Sequence, residues 1–152
     1  MTGSPDVIAG LLHALSIANS AFEPLHNQEH LWETDGYPEL EKWFDKANRA
    51  VWREVHHRLL KRLYKLGGMP PGVTRDPVEA FSKALDLWQQ IHKACQDIYA
   101  VAETDGDYVT TDKLAEIQAV IEGWIVSAER KLRQLKTLDP KAPATPFMTE
   151  QM

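Results

Sequence analysis

The sequence predicts an all-α protein whose helices pack as a four-helix bundle. Apolar residues recur at helical spacing through four stretches of about 25 to 30 residues, and glycines and prolines cluster between those stretches instead of scattering through them. No segment of useful length alternates with period two, so a sheet has no sequence from which to form. At 1.5 Å per residue each helix would span roughly 40 Å, and helices of matched length pack best side by side.

Each element has its own start and stop signals. Ser4-Pro5-Asp6 supplies a cap, a first-turn proline and a first-turn acid, and Ile8, Leu11, Leu12, Leu15, Phe22 and Leu25 carry the first helix over 5–33. Pro24 removes a backbone hydrogen bond inside it and should kink or split it. After the turn Thr34–Tyr37, Pro38 opens a second helix whose stripe runs through Leu40, Trp43, Phe44, Ala47, Val51, Leu59 and Leu63 to Leu66, ending at Gly67-Gly68. Asp76-Pro77-Val78-Glu79 opens the third, with Val78, Phe81, Leu85, Trp88, His92, Cys95 and Ile98 on one stripe. The fourth opens near Thr110 and turns Leu114, Ile117, Ile121, Trp124, Ala128, Leu132 and Leu135 inward. The helical domain is expected to occupy 1–138, followed by a proline-rich, mostly extended tail over 139–152.

Composition narrows the function. The 152 residues suit one domain, and 43% hydrophobic content can fill its core. With 22 acidic against 17 basic side chains the net charge is -5, which argues against binding nucleic acid through phosphate neutralisation. Cys95 stands alone, so an internal disulfide and a paired-cysteine zinc site are excluded. No apolar run is long enough for a membrane span, and the N-terminal run from Val7 to Ala18 lacks the basic leader of a secretory signal, so a cytoplasmic location is expected.

The residues that carry chemistry lie on the second helix. Glu54-Val55-His56-His57 contains Glu-x-x-His, which on an α-helix sets a carboxylate and an imidazole on one face as transition-metal ligands. The stretches Leu40–His57 and Leu66-Gly67-Gly68-Met69-Pro70 resemble the second helix and following loop of bacterioferritins. Asp105–Asp112 resembles the loop and cap that open their last long helix. The resemblance covers roughly residues 8 to 136 and implies a ferritin-like up-down bundle with one long crossover, without the family's short fifth helix. It also implies a di-iron site, carried over here only in part. Glu54 and His57 match the second-helix ligands, whereas the last-helix pair falls on Ile121 and Trp124, which cannot bind iron. No carboxylate lies within Trp88–Gln90 or Leu15–Ala21, where the other two glutamates should be, and Val55 occupies the position of the haem-binding methionine, which argues against haem by that route.

Two readings of Glu54 and His57 stand side by side: a vestigial structural pair, with Glu54 held by His57, Arg53 or Arg58, or a real ion contact assisted from the first helix. The accessory candidates are His26, Glu29, His30 and the adjacent His56; His26 and His30 have the four-residue spacing of a metal-binding pair and also suit a solvated face. The basic run Arg53, Arg58, Lys61, Arg62 and Lys65 suits a solvated face or an anion contact, and Trp52, off the central stripe, suits a subunit interface. The expected function is that of a bacterioferritin-like subunit without a complete ferroxidase centre, structural or non-oxidising, in iron storage. Such a chain is a homo-oligomer, at least a dimer, or shares a mixed shell with an active ferritin-like subunit. The alternatives are a binding module on the same fold with no iron role, and an enzyme with a metal site rebuilt from Glu54, His57 and the first-helix histidines.

Overall fold

A computed structural model describes residues 3–137, and every regular element among them is helical. The chain divides into two compact units, Met1–Gly72 and Val73–Met152. The all-α expectation therefore holds, and all four predicted helical stretches are present. The expected tail over 139–152 and the expected lack of a fifth helix lie outside the described residues.

In the first unit, α1 runs Pro5–Asp35 and packs on the second helical stretch. Ser4 caps it as expected, its Oγ accepting from the Val7 amide at 3.2 Å. Pro24 does not split α1, which stays continuous and ends at Asp35, two residues later than predicted, with Gly36 at φ +79° as its cap. The second stretch is not one α-helix. It consists of α2 (Pro38–Arg49), a π-helical segment (Ala50–His56) and α3 (His57–Lys65), with α-helical φ and ψ at both joins. Leu15, Ala18, Leu63 and Leu66 are the buried apolar residues of this unit. Its end is closed by Gly67 at φ +86° and by Gly68, where a Cβ would collide with the Leu63 side chain. The Gly3 amide donates to the Leu66 carbonyl at 2.9 Å, tying the start of the chain to the end of α3.

The second unit is a helical hairpin of α4 (Pro77–Thr104) and α5 (Tyr108–Lys136), packed along each other. Asp76 accepts from the Val78 amide at 3.0 Å and opens α4 as predicted. Asp107 accepts from the Thr110 amide at 3.1 Å and from the Thr110 hydroxyl at 2.6 Å, so α5 opens at Tyr108, slightly before the expected start. Those Thr110 contacts hold the Asp107 carboxyl below its ordinary range. On α5 the buried residues are Thr111, Leu114, Ile121, Ser127, Ala128 and Lys131. This shifts the predicted stripe: Ile117 is 46% exposed and Trp124 36%, on the flank of the buried face.

Candidate functional site

Glu54 and His57 are the residues on which the metal reading rests, and the backbone beneath them is not α-helical. The His57 amide donates to the carbonyl of Trp52, five residues back, which closes the π segment. An α-helix turns about 100° per residue and sets positions i and i+3 about 60° apart. Five-residue hydrogen bonding winds more widely, with roughly 4.4 residues per turn and thus about 80° per residue, so the same spacing diverges by about 115°. Across the π segment Glu54 and His57 are therefore set farther apart around the axis than in an α-helical Glu-x-x-His. Glu54 Oε2 meets Arg58 Nη2 at 2.7 Å, four residues on, with the Glu54 side chain 60% exposed. The α-helical placement of Glu54 and His57 on one face, which the spacing alone suggested, is thereby corrected. Of the three partners expected for it, Arg58 is the one the structure pairs with it.

His56, next to His57, is half-buried and sets its ring edge-on to Trp52 at 4.4 Å. Burial, followed by the charge of His57, holds its pKa below the ordinary histidine value. From Trp52 a chain of rings crosses to α1: Phe22 lies 4.7 Å from Trp52 and stacks on His26 at 5.3 Å, and His26 meets His30 at 4.6 Å. His30 Nδ1 is 3.1 Å from Glu33 Oε2, an exposed contact. The four-residue spacing thus brings the two imidazoles together, as predicted. Glu29 is engaged by a residue of α2.

Glu29 belongs to a polar contact that the sequence reading did not anticipate. The Asn48 side-chain amide donates to Glu29 Oε1 at 2.7 Å, linking α2 to α1. Asn48 is only 5% exposed, and its Oδ1 is buried without a partner. The carboxylate accepts and does not donate, which orients the amide and leaves Oδ1 as the orphan. A buried acceptor without a donor costs about 1–3 kcal/mol. One signal was available: Asn48 lies four residues after Phe44 and three before Val51, a polar residue on an apolar stripe. Asn48 lines a cleft of about 270 Å³ with Phe22, His26, Glu29, Asp45, Arg49, Trp52 and Arg53.

In the second unit, Ile121 and Trp124 are the positions at which the resemblance places the last-helix ligands. Ile121 is 3% exposed. Trp124 lies against Trp88 of α4, with ring centroids 5.7 Å apart and planes 5° from parallel. Trp88 also begins the window in which the third-helix glutamate was expected. The acid next to Ile121 on α5, Glu122, is 62% exposed at its side chain and meets His92 Nε2 at 3.2 Å. Cys95 is a free, half-buried thiol.

Iron is the group that this fold implies, and the donor set does not fit it. Glu54 is paired with Arg58, Ile121 and Trp124 offer no lone pair suited to iron, and no three His, Cys, Asp or Glu residues converge on one point among the described residues. No helix among the described residues is long and apolar enough to cross a membrane. No curated protein matches the chain. The profile of the ferritin-like domain matches residues 8–138, nearly the whole sequence, and with that match the chain belongs to the ferritin-like family.

Proposed function

We propose that this ferritin-like protein is a bacterioferritin-like subunit that does not oxidise iron and serves iron storage as a structural partner. The observation that carries the reading is the Trp88–Trp124 stack beside the buried Ile121, at positions where the family's ligands would lie. A cage of carboxylates without metal holds like charges at a large desolvation cost, and apolar and aromatic side chains remove that cost. The Glu54–Arg58 pair supports the same reading, because it gives the carboxylate a cationic partner within the chain. Assembly as a homo-oligomer, or with an active ferritin-like subunit in a mixed shell, and a cytoplasmic location are parts of the proposal.

The test joins a ferrous-oxidation assay to a light-scattering mass and metal analysis of protein from its native host. Expected are no saturable oxidation above the rate of free iron and either a homo-oligomer or co-assembly with an active subunit. Stoichiometric iron lost in both Glu54→Gln and His57→Ala would overturn the proposal. The contact between His26 and His30 favours a second reading, an ion site on α1 apart from any ferroxidase centre. Zinc titration decides it: binding abolished by His30→Ala supports an α1 site, and binding unchanged by that substitution sinks it.

A further inference from the structure

The cleft between α1 and α2 is not used by the reading above, and four of its features converge on one kind of ligand. It encloses about 270 Å³, just below the usual range for drug-sized pockets and suited to a single ring with short substituents. One wall is aromatic, formed by Phe22 with His26 stacked on it at 5.3 Å and Trp52 tilted against it at 4.7 Å. Such a wall favours a flat π-system over an aliphatic chain.

Charge decides the other end of the ligand. Four charged residues line the cleft: Glu29, Asp45, Arg49 and Arg53. Asp45 and Arg49 hold each other at 3.2 Å, and Glu29 is engaged by Asn48 at 2.7 Å. No carboxylate among the described residues pairs with Arg53, so its guanidinium presents its fork of donors to whatever enters. A planar carboxylate matches that fork, and Glu29, whose charge the neutral Asn48 amide does not cancel, favours a hydrogen-bond donor at the other end of the ligand. Asn48 adds the fourth feature, because its buried Oδ1 has no donor. A ligand hydroxyl or amine supplies one once a shift of the Asn48 side chain opens that atom to the cleft.

We propose that this cleft binds a small aromatic carboxylate that carries a hydroxyl or amino donor. The carboxylate pairs with Arg53, the ring lies along Phe22, His26 and Trp52, and the donor is directed toward Asn48. This assignment does not depend on the iron-storage reading.

4-Hydroxybenzoate is the probe, titrated into the full-length protein by calorimetry and by tryptophan fluorescence. The expected result is one saturable site whose affinity falls about tenfold in Arg53→Gln, the loss of one charge-assisted contact. Benzoate, which lacks the donor, binds more weakly, and the fluorescence change disappears in Trp52→Phe while calorimetric binding remains. Arg53 is exposed, so Arg53→Gln keeps the fold, which circular dichroism checks. Absence of saturable binding, equal affinity in Arg53→Gln, or tighter binding of the cation tyramine would each overturn the assignment.

Discussion

The two units solve the same problem, the burial of one face of a long helix, in different ways. In the second unit α4 and α5 are uninterrupted, Leu114, Ile121 and Ala128 lie buried along α5, and a parallel pair of indoles lies on the flank. In the first unit Pro24 sits inside α1, a π-helical segment divides the second stretch, and a buried amide and a carboxylate meet across the helices. Irregular backbone and half-satisfied polar groups cost stability and persist where the surroundings over-determine them or a ligand uses them. The comparison teaches that the polar irregularities of the described residues gather in the first unit, while the buried face of α5 in the second is built on regular helix.

The largest effect should come from placing a charge on that buried face. Ile121→Glu places a carboxylate at a position only 3% exposed. An uncompensated buried charge costs about 3–5 kcal/mol, and urea unfolding should register a loss on that scale. A loss below about 1 kcal/mol would mean that the position readily admits a charge, and the contrast between the units would fail. Ferrous iron should not recover the loss, because Trp124 is stacked on Trp88 and Glu54 is paired with Arg58, so no complete ligand set stands ready.

A smaller effect sharpens the other side of the comparison. Asn48→Asp keeps the shape of the side chain but replaces the donor to Glu29 with a second carboxylate. The loss of a charge-assisted bond and the new like-charge contact should together cost about 1–3 kcal/mol at neutral pH. Glu29→Gln in the same chain should recover much of it, since its new amide donates to the carboxylate introduced at position 48. A double-mutant cycle in thermal unfolding measures this coupling, and additive single effects would show that the contact does not hold α1 to α2.

These residues also show what a sequence can disclose. The start of α4 was legible in Asp76-Pro77 and the start of α1 in Ser4-Pro5, because caps act through bonds to amides two or three residues away. Ile121 was legible as a buried residue, since a stripe of period 3.6 reports the face it occupies. The direction of Glu54 was not legible. The Glu-x-x-His spacing presumes α-helical winding, and a π segment rotates a side chain relative to its neighbours without leaving a compositional mark. The stacking of Trp88 on Trp124 was equally hidden: each lay on its own stripe, but the register between α4 and α5 is a property of the packed pair. Asn48 was visible as a polar residue on an apolar stripe, yet its partner on α1 lay nineteen positions away.

The smallest expected effect concerns His56, at the end of the π segment. Its folded pKa lies below the ordinary 6.5, first because burial penalises the imidazolium and then because His57 repels it. In the window between the lowered folded value and the unfolded value near 6.5, the unfolded chain binds more protons than the folded one. Stability therefore rises with pH through that window: the contribution is fully present above the unfolded value and is lost as pH falls through the folded one. His56→Gln removes the titrating group while keeping a polar side chain against Trp52, so its urea midpoint should change less than that of the parent chain between about pH 7.5 and pH 5. His92→Gln in the second unit, which removes a ring that meets Glu122 across the hairpin, is the control for the loss of an imidazole as such. If His56→Gln and the parent chain lose stability in parallel on acidification, the π-helical end of the first unit is no more sensitive to protons than the rest of the molecule. The asymmetry between the units would then be one of shape and not of charge.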